Sequence, residues 1–423
     1  MRWKQHPQAV LATLLVVHVL AHVDRNMLLA FSPQITRDLA LGNAQYGFLA
    51  GAVWVLSFGV MAVVMGSLAD RHSRTKVMAF GIALWSLCTG ASGAAQTFEQ
   101  MVAARFLVAS GEAALVPAAV SLLVELFASA RRGGAVGVFF MGIPLGIGTS
   151  FLLAGTLGAT QGWRGTFVAL GVLGLVISVP LLLLRDERAA PEEGAAAAGG
   201  APIGQQLRRV LALLREQPRV LHTIAGFVLV HMVFAGLAFA QLWLVRERGF
   251  EAAAVARQIG VLQLAFGAAG SLAGGWLGDR LARRLPGGHA GFLVLLVLLC
   301  GPLMLAHRFA APGSALFYAG LCAGFFMPLA ARPGRRAHPG PHARPHALHG
   351  DRAQVLLINV FAIAIGNLAV GAVSDRLAAG GSAQPLTLVL LATDVLAITS
   401  VVFFALAARG PRPAAVASAV AAH

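Results

Sequence analysis

The sequence predicts an all-α membrane protein, with twelve transmembrane helices in two pseudo-symmetric six-helix bundles. Three observations lead there. Apolar runs of about 20 residues, long enough to cross a bilayer, recur from one end of the chain to the other. Charged residues make up only 12% of the 423-residue chain and hydrophobic residues 58%, whereas soluble domains carry about twice that charged share. Finally, GSLADRHSRTK (Gly66–Lys76) returns as GGWLGDRLARR (Gly274–Arg284). Its Asp70–Arg71 pair is repeated 209 positions later as Asp279–Arg280. A repeat at about half the chain length marks a duplicated bundle, with a substrate site expected between the two copies. The runs lack the apolar–polar alternation of membrane-barrel strands.

The predicted spans are 9–35, 44–68, 76–96, 100–127, 134–159, 163–184, 219–245, 254–278, 290–309, 313–331, 354–377 and 385–408. With both termini cytoplasmic, the inner segments hold 23 Lys/Arg and the outer loops seven, leaving Arg25 and Arg105 within the membrane. That asymmetry agrees with the helix count and fixes the orientation. The start, MRWKQHP, is basic and runs into a full-length span, so the first helix is expected to be retained. Residues 185–218 separate an N-terminal bundle (1–184) from a C-terminal one (219–423). This linker is flexible where Ala, Gly, Pro and Glu dominate, and Ile203–Leu214 reads as a basic amphipathic helix on the inner leaflet.

The net charge of +15 is explained by topology, with no nucleic-acid partner needed. Lys4 and Lys76 are the only lysines, which suggests a GC-rich gene. Cys88, Cys300 and Cys322 lie inside apolar runs and read as small core residues. There is no Gly-x-x-x-x-Gly-Lys-Ser/Thr phosphate loop and no nucleophile–base set, so an enzyme is not expected. Neither a cofactor nor a metal is expected.

The residues that demand explanation are charges inside spans. Asp24 and Glu112 each lie about 12 residues from the outer end of their helix, so at about 1.5 Å per residue both sit about 18 Å deep. A low-dielectric site disfavours a charged carboxyl, and a neighbouring arginine opposes that. Asp24, Arg25 and Glu112 are therefore candidates for a group that changes protonation as the cavity opens to each side. His18, His22 and Arg25 fall at i, i+4 and i+7 on one helix face; the histidines read as packed side chains or as part of a proton or substrate path. Arg105 either holds that network, binds an anionic head group or snorkels to the interface. His231, Asn359, Asn367 and Asp394 are further candidates for the cavity lining. Gly137, Gly142, Pro144, Gly146 and Gly148 in the fifth span allow close approach and bending.

GSLADRHSRTK resembles the loop signature between helices two and three of the major facilitator superfamily, with Ser73 in place of the usual second glycine. Across residues 16–185 the chain resembles the Spinster group, most distinctively in Gly111-Glu-Ala-Ala-Leu-x-Pro117 and Gly142-Ile-Pro-Leu-Gly146. The second half matches only generally. The resemblance implies the major facilitator fold and proton-linked transport of a small amphipathic or anionic molecule. Spinster relatives include exporters of sphingosine-1-phosphate and lysophospholipids. It implies that Asp24, Arg25 and Glu112 form the proton-coupling group. It also implies that Asp70, with Arg71 and Arg74, gates against the N-terminus of helix eleven, where the dipole favours an anion, and that Asp279 and Arg280 echo this gate. Gly142-Ile-Pro144 departs from the adjacent Gly-Pro of drug antiporters. The expected partners are a small-molecule substrate, protons and membrane lipids, around a monomer in a bacterial inner membrane. The alternatives are an organic-anion/proton symporter, a drug efflux transporter, or a transport-inactive sensor.

One stretch does not fit. Residues 331–354, ARPGRRAHPGPHARPHALHGDRAQ, should complete helix ten and open helix eleven, but Pro333, Pro339, Pro341 and Pro345 oppose a long helix. His338, His342, His346 and His349 read as low complexity and not as a metal site. The composition is what a GC-rich gene yields out of frame, so a local frameshift restored near Val355 is expected.

Overall fold

The structure is a computed structural model. It describes residues 6–182, 218–331 and 354–409, with the side chains of residues 69–71 outside the description. Among the described residues the fold is all-helical. Eleven helices are long and apolar enough to cross a membrane: α1 (Pro7–Ala30), α2 (Asn43–Leu68), α3 (Arg74–Ala94), α4 (Phe98–Leu126), α5 (Ser129–Gly155), α6 (Leu157–Leu181), α7 (Pro218–Ala238), α8 (Ala252–Ala282), α9 (His289–Phe309), α11 (Gln354–Ala379) and α12 (Pro385–Arg409). A shorter apolar helix, α10 (Ala315–Ala330), completes the twelve. The expected interfacial helix at Ile203–Leu214 and the anomalous stretch at 332–353 lie outside the described residues.

Local chemistry sets the ends. The first span is shorter than the sequence suggested, because the chain turns at Phe31 and restarts as Ser32–Asp38. Pro33, which has no N–H to give, opens that new helix. Thr97 Oγ1 caps α4 by accepting from Gln100 N, the Ser314 side chain caps α10, and the Glu251 carboxylate caps α8 through Ala253 N and Ala254 N. α6 is broken by a kink at Gly162, at φ 69°, a conformation that favours glycine.

The described residues form two compact units. The first draws on Met1–Gly200, Phe234–Ala269 and Asn359–Thr393, so parts of α7, α8, α11 and α12 group with the first six helices. The second draws on Ala201–Val233, Gly270–Ile358 and Asp394–His423. Both units pack through glycine. A Cβ on Gly81 or Gly111 would strike the facing backbone between α3 and α4, and Gly47 and Gly51 bring α2 against α11 at Asn367. In the second unit, Gly301 admits Ile398, and Gly320 admits His307. Lipid tails are as apolar as leucine, so this close packing holds the helices together more than hydrophobic exclusion does.

Candidate functional site

Four helices of the first unit bring a polar cluster together. α4 is interrupted at Ala113–Ala114, between helical segments ending at Glu112 and restarting at Leu115. Pro117 removes the N–H that would bond the Ala113 carbonyl, which accounts for the break. Gly111 lets α4 rest on the α3 backbone at Trp85, which sets the height of Glu112. On α2, a π-turn at Phe48–Ala52 immediately precedes Val53 and Trp54; such turns often re-aim side chains at functional sites.

The cluster holds two carboxyls and two arginines that do not pair with one another. Asp24 is 0% exposed and Glu112 6%. Neither oxygen of Asp24 closes a hydrogen bond among the described residues, although Trp85 and Thr89 of α3 face it. Glu112 Oε2 accepts from Trp54 Nε1 at 2.8 Å, while Oε1 has no partner among the described residues. Arg105 donates to the backbone carbonyls of Asp24 (3.1 Å) and Arg25 (2.9 Å), clamping α4 to α1. The Arg25 guanidinium lies 3.4 Å from the centroid of the Trp54 ring. Ser57 of α2 and Ser110 of α4 complete the layer with a hydroxyl contact of 2.9 Å.

The other residues singled out from the sequence fall in several places. His18 Nδ1 lies 2.8 Å from the Phe139 carbonyl; its ring stacks on Phe139 and meets His22 edge-on at 4.8 Å. Gly142 and Gly146 of α5 make room for these two rings. Both histidines therefore sit on the α1–α5 seam, apart from the ring that Arg25 covers. His231 Nδ1 contacts the Phe227 carbonyl one turn back, and Asn367 Nδ2 donates to the Ile363 carbonyl. Asn359 lies in a π-helical stretch of α11. Asp394 is ion-paired with Arg308 of α9 at 2.7 Å, with both side chains buried. Arg74 pairs with Glu125 at 2.6 Å and donates to Ser121, tying α3 to α4. Asp279 and Arg280 are exposed in the last turn of α8, with Arg280 5.7 Å from the Trp276 ring. The side chains of Asp70 and Arg71 lie outside the described residues.

The sequence reading missed Trp54, Arg308 and a polar seam at the opposite end of α11. There Asp375 accepts from Asn43 N (3.0 Å) and Ala44 N (2.8 Å) at the start of α2. Arg246 donates to Asn43 Oδ1 and Thr36 Oγ1, and Tyr46 Oη donates to the Ala238 carbonyl. A signal for this seam was present: Gly371-Ala-Val-Ser-Asp375-Arg376 is a third Gly-x-x-x-Asp-Arg copy.

Twelve apolar helices among the described residues mark a multi-pass integral membrane protein, and ionisable groups buried within such spans are a feature of ion and substrate pathways. The Major Facilitator Superfamily model matches residues 14–334, and the chain belongs to that superfamily. It is 29% identical over 418 residues to an MFS-type efflux pump of Mycolicibacterium smegmatis, covering 95% of this chain and 92% of that one. Protein spinster of Drosophila melanogaster is 29% identical over 318 residues, 72% of this chain and 52% of that protein, so the chain spans about half of that relative. A 3-(3-hydroxy-phenyl)propionate transporter of Escherichia coli is 30% identical over 351 residues, 82% of this chain and 79% of that one. A solved bacterial homolog of the human lysosomal transporter Spinster, inward-facing and unoccupied, superposes with TM-score 0.80 at 20% identity, covering 96% of this chain and 99% of that one.

Proposed function

We propose that this protein is a proton-coupled secondary active transporter. It moves a small amphipathic or anionic organic molecule across a bacterial inner membrane by alternating access, as a monomer with both termini cytoplasmic. The supporting observation is the buried pair Asp24 and Glu112, set beside two arginines that form no ion pair with either. Ionisable groups inside spans mark ion pathways, and a carboxyl without a fixed counter-charge is free to exchange a proton when access changes. Arg105 keeps α1 and α4 in register, and Arg25 is the cation whose position follows the cycle. Asp375 and Arg246 close the outer end. Asp70, Arg71 and Arg74, with Asp279 and Arg280, gate the cytoplasmic end.

The test is flux in proteoliposomes with an imposed pH gradient. Lysophospholipids and 3-(3-hydroxyphenyl)propionate serve as probes. Glu112→Gln abolishes gradient-driven flux of any transported probe and spares substrate exchange. Organic-anion/proton symport is the second reading, favoured by the likeness to the E. coli transporter. Uptake of the propionate probe with an inward proton gradient, and none of the lysolipid, selects it.

A further inference from the structure

Trp54 occupies the space between Arg25 and Glu112. Its N–H donates to Glu112 Oε2 at 2.8 Å, its face receives the Arg25 guanidinium at 3.4 Å, and Phe58 stacks against it at 4.5 Å with 21° between planes. The ring is thus held from three sides, and it holds a carboxylate by its edge and a cation by its face.

We infer that Trp54 is a positioning residue that keeps Arg25 and Glu112 from closing into a direct ion pair. This rests on the proton-carrier reading of Glu112. A guanidinium attracts a carboxylate strongly in a low-dielectric layer, and a carboxylate locked to arginine no longer exchanges its proton readily. An indole satisfies both groups with weaker, neutral contacts: a single N–H bond for the carboxylate and the negative ring face for the cation. Arg308 and Asp394 show what the same groups do with no ring between them, closing to 2.7 Å. The charged groups around Glu112 are Arg25 and Asp24 from α1 and Arg105 from its own helix. α2 contributes the neutral Trp54, and α3 contributes the neutral Trp85 and Thr89 beside Asp24.

The experiment uses the full-length protein in nanodiscs, with the proton as the only ligand. Infrared difference titration follows the C=O stretch of protonated carboxyls, and Glu112→Gln identifies the band. Trp54→Leu removes both contacts, and the band's midpoint moves to lower pH by about one unit or more, a tenfold change in proton concentration. Trp54→Phe keeps the ring face and moves it less. In an Arg25→Gln background, Trp54→Leu has little further effect, because no guanidinium is left to collapse onto Glu112. A midpoint unmoved in Trp54→Leu, or moved equally without Arg25, overturns the inference while leaving the carrier reading intact. If Glu112→Gln removes no titrating band, the carrier reading fails and the inference falls with it.

Discussion

Two buried arginine–carboxyl arrangements in this chain resolve the same electrostatic problem in opposite ways. Between α9 and α12, Arg308 and Asp394 meet at 2.7 Å, and each satisfies the other. Between α1, α2 and α4, Arg105 is spent on backbone carbonyls and Arg25 on an indole face, which leaves Asp24 and one oxygen of Glu112 without hydrogen-bond partners among the described residues. The first arrangement closes arginine and carboxylate onto each other and pins two helices. The second leaves its carboxyls uncommitted, which a structural pin has no use for. Burial alone does not separate the two sites; what separates them is what the arginine is bonded to.

The largest expected effect is at the committed pair. Asp394→Ala removes the carboxylate that the buried Arg308 pairs with and lowers stability by about 3–5 kcal/mol, while the apolar double change Arg308→Met with Asp394→Leu recovers most of the loss. Thermal unfolding in detergent measures both. A loss at Asp394 no larger than that in Glu112→Gln, which keeps an acceptor for Trp54, would erase the distinction between the sites. Arg105→Gln comes next: it gives up two charge-assisted bonds to the α1 backbone, with about 1.5–3 kcal/mol lost. A loss near zero would mean the clamp between α1 and α4 does not hold. The smallest effect is at the outer seam, where Asp375→Asn exchanges a carboxylate for an amide at the start of α2 and lowers stability by about 0.5–1 kcal/mol. The same variant increases outward opening, read by cysteine labelling at Ala44, the half-buried residue of α2 that Asp375 caps; labelling no faster than in the same cysteine variant with Asp375 intact contradicts the seam's role.

Much of the fold was legible because a bilayer imposes length and apolarity. The spans predicted at 290–309 and 385–408 lie within a residue of His289–Phe309 and Pro385–Arg409. Helix ends governed by proline and glycine were less so, as the turn at Phe31 shows. The shared depth of Asp24 and Glu112 followed from rise per residue alone. Their neighbours did not. Trp54 sits in an apolar run where an aromatic reads as one more lipid-facing or core side chain. Arg308 was not singled out, because nothing local indicates that Asp394, on a different helix, reaches it. Asp394 was a candidate for the cavity lining for the same reason: sequence locates a charge along its own helix but not what lies across from it. The outer seam had a visible signature in its third Gly-x-x-x-Asp-Arg copy, but the sequence did not say which helix end Asp375 would cap.

The most direct test of the central claim, that the uncommitted carboxyls carry the proton, is pH-gradient-driven flux by Glu112→Gln in proteoliposomes beside its substrate exchange. The expected result is gradient-driven flux reduced by about tenfold or more, as for an ionisable group on an ion pathway, with exchange retained. Gradient-driven flux equal to that of wild type would contradict it.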